Sequence, residues 1–597
     1  MDNGKNAISR WILNGQVHNA PKDWQTAECL ATFDKENVQA SLSIDKFTFV
    51  LDEATQLLNH ISTGLTGGVG ITEGVPLKLE LHNNINQVNV FDGYIDLADG
   101  VEINEFKHEV KAKLRLRDEL YTLEEKLTAI SLGYLESAVI GLFSNSDYTT
   151  LDYVVEKKIN LLETIVTNIA IFIMTKELID TIVKMTTNSG HAVAHGTGGL
   201  PLPSAPLSAI IWGIVETTIE IVYAALLLVA ILKLITTLFS QLIPVRRKAK
   251  VLNIKTALIK IAAHLGYGFN SNILDLDTTY FLPSNFNYDG VNSLGVISQW
   301  VGNKKGIPAS SDYGYQCIEF FEIVKKLFNG KFAIYNNAIC FYNVDDLFWV
   351  QQSTFQMPSI REKIKQYNTD ELKANRYLTF DVDYSDTWTI DNYLGTSYEV
   401  ITNSQIVNDI KLKAIRGLDE IRFGVCLASR KDAISGFESF LHSLASTADG
   451  IITTLGGQAI FAQQISSSIG LMKIGTNNWT KPKILKLDSN NRLVLRSLWG
   501  SKYIYDTYYK GKSFVSTVNG LSHYGQKEVY HNVKIPFGLN NFVELINNSY
   551  FHDIDGSVGK ITKCVYRFYS DYATIDYFKR KSYTNNLIET FVEPTNQ

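Results

Sequence analysis

One stretch limits what this chain can fold into more than any other. From Leu207 to Val245 it carries only three charged side chains, Glu216, Glu220 and Lys233. Upstream, Ile159 to Val183 is a second apolar helix candidate, with Glu163, Lys176, Glu177 and Asp180 inside it. A Gly/Pro/Ser linker, residues 189–204, joins the two, and Arg246-Arg-Lys-Ala-Lys250 closes the segment. The longest charge-free runs, Ile221–Leu232 and Leu234–Val245, are 12 residues each. A stable membrane span needs about 20. The pattern therefore predicts two long apolar helices buried in a large assembly. A membrane-inserting hairpin is the sharper alternative, and a constitutive membrane protein is a third. In the hairpin reading Leu226, Leu227, Leu228, Ile231 and Leu232 enter the bilayer. Lys233 snorkels, and Arg246, Arg247 and Lys248 stay with anionic head groups.

The flanking chain is of another kind. Over 597 residues, 45% are apolar and 20% charged, which is a globular composition. At about 150 residues per domain the length suggests roughly four domains. A net charge of −5 argues against a dedicated nucleic-acid binder. The 30 Tyr and 30 Phe set against 12 Pro favour strands and extended interfaces. Cys29, Cys317, Cys340, Cys426 and Cys564 are scattered and never form Cys-x-x-Cys, so they read as small buried hydrophobes in a reducing compartment. The N-terminus shows no basic flank followed by an apolar run, so no signal peptide is expected.

Residues 8–120 read mostly as strands. Phe47–Leu51 is a β-rich run, followed by a short helix candidate at Glu53–Ile61. Val75, Leu77, Leu79 and Leu81 alternate on one face, and Val88–Ile95 continues the sheet. Phe106–Leu116 alternates again. These short strands fit an antiparallel barrel or sandwich. From Leu120 to Lys250 the reading is helical.

Beyond it come α+β units. Ile254–Leu265 is an amphipathic helix, and Cys317–Phe328 is a second, ended by Asn329-Gly330. Asn336-Asn337 between Phe332–Tyr335 and Ala338–Tyr342 signals a hairpin. Leu378–Asp383 and Ser397–Thr402 read as strands, and Asp432–Leu471 as helix. Residues 483–590 read as further strands, with aromatic runs at Tyr503–Tyr505 and Tyr566–Tyr569. The expected fold is α+β and multidomain. Its parts are a β-rich N-terminal domain (1–120), a hydrophobic helical insertion (121–250), a small α+β domain (251–375), and a C-terminal β-rich domain (376–430 and 480–597). A second helical insertion (431–479) interrupts the last.

No nucleotide-binding, metalloprotease, serine-hydrolase or kinase signature is present. Gly64–Gly70 is glycine-rich without a strand-to-helix setting, so it reads as a loop. His191 and His195 stand at metal-ligand spacing but sit in the Gly-rich linker. Asp381, Asp383 and Asp386 form a short acidic run without the glycine and terminal Glu of a calcium loop, and read as a solvated strand face. Glu216 and Glu220, one turn apart, read as a polar stripe facing a neighbouring helix or a water-filled lumen. The expectation is no catalytic residue, no metal and no cofactor.

Leu13-Asn-Gly-Gln-Val-His-Asn-Ala-Pro-Lys-Asp-Trp24 resembles the opening of a family of structural proteins in phages and prophages of Bacteroidetes-type bacteria. Glu73-Gly-Val-Pro-Leu-Lys-Leu79, Phe91-Asp-Gly-Tyr-Ile-Asp96, Ala263-His-Leu-Gly266 and Thr389-Ile-Asp-Asn-Tyr-Leu-Gly-Thr396 are similar to the same family, in the same order. More distantly the layout resembles tail and baseplate hub proteins of long-tailed phages. The resemblance implies two hub-like β-domains per subunit, a homotrimer under a sixfold tail tube, and tube, distal-tail and spike proteins as partners. It implies a virion location at the tail tip after assembly in the host cytoplasm, with roles in DNA ejection and host entry. A tail-associated cell-wall hydrolase and a membrane-embedded secretion or injection component are the alternative functions.

Overall fold

The computed structural model describes residues 8–24, 26, 28–33, 39–50, 74–82, 88–96, 101–116, 119–155, 170–184, 222–234, 245–284, 315–360, 365–368, 375–384, 389, 396–402, 418–431, 461–474, 479–509, 517–518, 521–522, 527–554, 558–580 and 587–592, less a few single positions, with scattered helical positions between 52 and 59 and between 442 and 449.

Eight strands come first: β1 (Ile8–Leu13), β2 (Gln16–His18), β3 (Glu28–Thr32), β4 (Ser41–Val50), β5 (Val75–His82), β6 (Val88–Asp96), β7 (Glu102–Asn104) and β8 (Glu109–Leu116). On β5 the expected alternation holds, with Val75, Leu77, Leu79 and Leu81 all buried. The alternation from Phe106 does not. The strand starts at Glu109, because His108 takes a left-handed turn (φ 49°) and leaves Phe106 95% exposed at the tip of the β7–β8 hairpin.

The helices Glu119–Ala129 and Leu132–Glu136 follow. The helical reading of 120–250 then breaks. Tyr148–Val155 is strand β9 and Val245–Asn253 is strand β10, paired antiparallel over eight residue pairs. Aromatic and β-branched residues crowd β9, which favours a pleated surface over a helix.

The next units follow the sequence pattern closely. Helix Ile254–His264 buries Ile254, Ala257, Leu258, Ile261 and Ala262, the i, i+3, i+4, i+7, i+8 stripe, and the Asn253 side chain caps it through the Thr256 amide. After β11 (Gly268–Asn270) and β12 (Thr279–Leu282), helix Cys317–Leu327 buries Phe320, Phe321 and Val324 among others. Strands β13 (Gly330–Tyr335) and β14 (Ala338–Asn343) form the predicted hairpin. Asn336 and Asn337 both take positive φ (50° and 58°), as a type I′ turn requires.

The remaining strands are β15 (Lys365–Asn368), β16 (Asn375–Thr379), β17 (Thr396–Thr402), β18 (Leu418–Arg422), β19 (Cys426–Leu427), β20 (Ser429–Arg430), β21 (Met472–Ile474), β22 (Lys483–Lys486), β23 (Thr517–Val518), β24 (Leu521–Ser522), β25 (Lys527–Pro536), β26 (Tyr550–His552), β27 (Val558–Arg567), β28 (Tyr572–Arg580) and β29 (Leu587–Val592). Strand β16 stops at Thr379, short of the expected Asp383. Tyr503–Tyr505, expected in a strand, belongs instead to a short helix, Ser501–Ile504, that runs into a π-turn, Tyr505–Tyr509. Both ends of that element are buried against the helix Cys317–Leu327, so tertiary packing overrides the local β preference.

The largest sheet has thirteen strands, in the order β15-β25-β28-β27-β3-β4-β8-β6-β5-β1-β2, with β26 on β27 and β7 on β8. It joins the first 116 residues to the last part of the chain edge to edge. The seam is β3 against β27, from Glu28↔Arg567 to Thr32↔Lys563. One continuous core, with Trp11, Phe47, Leu79 and Leu114 from one side and Phe551, Ile575 and Tyr577 from the other, runs across the seam. A seven-stranded sheet, β19-β22-β12-β10-β9-β21-β20, forms a second layer. Three-stranded β11-β14-β13 and four-stranded β18-β16-β17-β29 complete the larger sheets. The result is a mixed α+β fold with large antiparallel sheets and several helices.

Candidate interaction site

The apolar insertion has a rigid root. Val155 ends β9 and Val245 begins β10, and these two residues pair with each other. The stretch between them therefore begins and ends at neighbouring positions. The root is held by buried side chains: Leu151, Tyr153 and Val251 pack with Met472, Ile474 and Trp479. The Tyr153 and Trp479 rings meet edge to face at 5.7 Å, and Trp479 Nε1 donates to the Pro283 carbonyl at 2.8 Å. An edge-to-face pair of this kind adds about 1 kcal/mol beyond area burial.

Two parts of the insertion are described, helical segments at 170–184 and 222–234. In the first, Thr181 is buried and its hydroxyl donates to the Glu177 carbonyl at 2.7 Å, while Ile173, Ile179, Ile182 and Val183 are exposed. In the second, Leu227 and Ile231 are buried one turn apart, Leu228 is half-buried, and Lys233 is exposed. Leu226 is 63% and Val229 62% exposed, with Val222 and Tyr223 beside them on the exposed side. Leu232 lies outside the described residues. Among the described residues, eight of the 21 exposed large apolar side chains therefore fall on these two short segments. Among the described residues no helix is long and apolar enough to cross a membrane.

Arg246, Arg247 and Lys248 are not a basic tail following a helix. Their backbones lie in β10, opposite Val154, Tyr153 and Asp152. Val245, the end of the expected helix Leu207–Val245, is itself in a strand, where β9 offers a ready ladder. Lys248 faces Asp152 across it, an opposite-charge pair of the kind that stabilises antiparallel strands.

The acidic run also differs from expectation. Asp383 is fully buried, not on a solvated face. Its carboxylate accepts from the Thr480 hydroxyl (2.8 Å) and the Lys481 amide (3.0 Å), and the Thr389 hydroxyl donates to its carbonyl (2.9 Å). Asp381 pairs with the Lys481 ammonium. The chain has left strand geometry by this point, so the two side chains no longer share an open face. Asp386, His191, His195, Glu216, Glu220 and Gly64–Gly70 lie outside the described residues. Among the described residues no three His, Cys, Asp or Glu side chains converge as a metal site would require.

Two clusters had no sequence signal, since each gathers residues far apart in the chain. Asp275 accepts from Lys486 Nζ (2.6 Å), Tyr508 OH (2.6 Å) and Tyr503 OH (2.9 Å). Burial pushes the Asp275 carboxyl up, but these donors outweigh it and hold its pKa below the ordinary carboxylate value. Burial and the carboxylate push Tyr508 the other way, upward. The second cluster is a hydrogen bond between His442 Nε2 and Ser466 Oγ at 2.9 Å. A hydrolytic triad needs a carboxylate on the other ring nitrogen. Asp449, on the same helical stretch as His442, has its carboxylate on the Ala462 amide (2.8 Å) at the start of the helix Phe461–Ser466. All five cysteines are free and buried, and burial raises the thiol pKa of each, with Cys317, Cys426 and Cys564 pushed up to about 12. Inert thiols of this kind are packing groups.

No family model and no curated protein matches the chain. Among solved structures it is similar to the prophage tail protein gp18 from Listeria monocytogenes, at 5% identity, over 96% of this chain and 94% of that one, with a TM-score of 0.29. It is also similar to the PdpA–VgrG complex of Francisella. In the half-lidded form identity is 8%, coverage is 99% of this chain and 60% of that one, and the TM-score is 0.27. In the lidded form coverage is 99% and 54%, with a TM-score of 0.26. At such scores the similarity carries no functional weight.

Proposed function

We propose that the chain is a structural component of a phage tail tip or baseplate, a hub that joins the tail tube to the distal tip and acts without catalysis. The observation that carries this reading is the apolar arm on its rigid root. Two short helical segments carry eight exposed large apolar side chains, which solvent does not tolerate well, and contact with other subunits relieves that exposure. The ordered motifs from Leu13–Trp24 to Thr389–Thr396 support the same reading. So does the way the N-terminal and C-terminal strands share one sheet, a broad and stiff platform of the kind an assembly needs.

In this reading the chain forms a homotrimer, a closed ring of heterologous contacts that meets the sixfold tube through two β-rich regions per subunit. Its partners are its own copies, the tube, and the distal-tail and spike proteins of the virion tip. Native mass measurement of the purified chain, and electron microscopy of the particle, test this. Three copies at the tip are expected, and six copies or a strict monomer under assembly conditions overturn it. A zymogram against host peptidoglycan is expected to show no lytic band.

The exposure of Leu226 and Val229 favours a second reading of the arm alone, entry into the host membrane when the tip opens. Leakage of anionic vesicles with the full chain, beside Leu226→Asp and Val229→Asp, decides it. Leakage that the two substitutions abolish supports membrane entry, and equal or absent leakage leaves only the packing role.

A further inference from the structure

A cleft of about 460 Å³ opens between the end of the helix Cys317–Leu327, the start of β13, the end of the π-turn and strand β18. It lies well away from the apolar arm in the chain and in the topology. Hydrogen bonds tie the helix end, the β13–β14 hairpin and the π-turn together, and β18 supplies the remaining wall. Asn329 Nδ2 donates to the Tyr508 carbonyl (2.8 Å), and Asn343 Nδ2 to the Phe328 carbonyl (2.9 Å). The Val344 amide donates to the Asn329 carbonyl (2.9 Å), and the Tyr509 hydroxyl to the Lys326 carbonyl. Gly330, on the wall, is kept bare because a Cβ there would meet the Phe341 ring at 2.3 Å.

The cleft is basic. Lys325, Lys326, Lys331 and Arg422 line it, against Glu322 and Glu420. Each acid already has a cation: Glu322 holds Lys325 at 3.2 Å, and Glu420 holds Arg422 at 2.8 Å. Lys331 is buried with its ammonium over the Tyr550 ring at 6.0 Å, so the charge presented at the rim is that of exposed Lys326.

One wall is a sheet edge. Strand β18 stands first in the order β18-β16-β17-β29, and among the described residues only β16 pairs with it. The side on which its backbone groups are used is fixed by two bonds. The Phe423 amide donates to the Thr379 carbonyl (3.0 Å), and the Asp381 amide donates to the Val425 carbonyl (3.0 Å). Phe423, just past β18, thus faces β16. Backbone groups alternate sides along a strand, so Glu420 turns its amide and carbonyl to the open edge, where Glu420, Ile421 and Arg422 border the cleft.

We propose that this cleft captures an extended acidic segment of a partner protein, which adds as a strand to the outer edge of β18, on which no described strand lies. Main-chain bonds to the edge supply affinity, and Lys326 at the rim favours carboxylates. Five residues of β18 set the reach, roughly 17 Å of extended peptide. The inference does not rest on the tail reading, and it is tested on the full chain alone.

The probe is a fluorescein-labelled heptapeptide of alternating Val and Glu, followed by polarisation. A control peptide carries Lys for every Glu. Glu420→Pro removes the outward amide and leaves the β16 ladder intact, a placement that edge strands tolerate. Lys326→Glu inverts the rim charge. Binding of the acidic peptide is expected, weaker at high salt, and each variant is expected to lose roughly fivefold or more in affinity. The proposal is overturned if the acidic peptide does not bind at millimolar concentration, or if the Lys control binds as well. It is also overturned if either variant, with an unchanged melting temperature, binds as tightly as the parent. Should Glu420→Pro fail to fold, Lys326→Glu and the control peptide decide.

Discussion

The helix Cys317–Leu327 and the helical segment 222–234 are similar in length and both rich in apolar residues, yet they meet their surroundings in opposite ways. The first buries Cys317, Phe320, Phe321, Ile323, Val324 and Leu327, while its charged Glu319, Glu322, Lys325 and Lys326 lie on the other face. The second buries Leu227 and Ile231 and leaves Val222, Tyr223, Leu226 and Val229 in solvent. In the first, the pattern of polarity says which face goes inward. In the second, almost every position is apolar, so the pattern holds no such instruction.

The largest expected effect lies on the packed side of this contrast. Phe320 is fully buried and meets the rings of Phe281 (5.4 Å) and Phe321 (6.5 Å). Phe320→Ala is expected to cost about 4 kcal/mol, the transfer term plus an unfilled cavity. Denaturant unfolding of the full chain checks it. A loss of less than about 1 kcal/mol would mean that this core collapses freely and that the contrast with the arm is overstated.

Next comes the polar knot that ties the π-turn to this core. Asp275→Asn is expected to cost about 3 kcal/mol, since it strips the charge that Lys486, Tyr503 and Tyr508 satisfy in a half-dry setting. The pH dependence has a definite sign. The carboxyl titrates lower in the folded chain than in the unfolded one, so its contribution is fully present above the unfolded value of about 3.9. It is lost as pH falls through the folded value. Melting curves between neutrality and pH 3 are expected to fall more steeply for the parent than for the Asn variant.

A smaller effect is expected where β26 meets β27 in the large sheet. A Cβ on Gly559 would meet the Phe551 ring at 2.0 Å, and β26 carries that ring directly across from it, at the pair Phe551↔Gly559. Gly559→Ala is expected to cost about 2 kcal/mol through displacement of a fully buried ring. A neutral result in the same unfolding assay would show that β26 shifts without penalty.

These sites differ in how far the sequence foretold them. Periodicity of 3.6 and of 2 located the helices Ile254–His264 and Cys317–Leu327, strand β5 and the Asn336-Asn337 hairpin, because in each the local pattern and the final burial agree. Tyr503–Tyr505 misled, since three aromatic or branched residues suit a strand until Asp275 takes the Tyr503 hydroxyl and the apolar cluster around the helix Cys317–Leu327 takes Ile504 and Tyr505. The joining of β3 to β27 had no local signal at all, being a contact between residues more than 500 positions apart. The same holds for the β18 cleft. Of the candidate site, the apolar character of 226–231 was plain from composition. The fate of Arg246–Lys248 was not, because a run of cations after an apolar stretch looks alike whether it follows a helix or begins a strand.

The smallest effect on stability is expected on the arm, and it is the one that separates the two regions most cleanly. Leu226 and Val229 make no large contribution to the fold, being 63% and 62% exposed. Leu226→Asp with Val229→Asp is expected to shift the unfolding free energy by no more than about 0.5 kcal/mol, as for surface positions generally. Both changes sit beside the buried pair Leu227 and Ile231 without replacing it, so the segment keeps its inward anchors. The assembly is expected to respond far more strongly. A carboxylate placed in a subunit contact must be desolvated, a cost of several kcal/mol unless it finds a cation. The double variant should therefore fold with the parent's melting temperature but fail to form the oligomer in native mass measurement. A variant that assembles normally would show that these side chains face solvent in the assembly too, and the arm would lose its place as the subunit contact. A variant that unfolds instead would show that the exposed face is part of the fold, and the contrast between the two helices would dissolve.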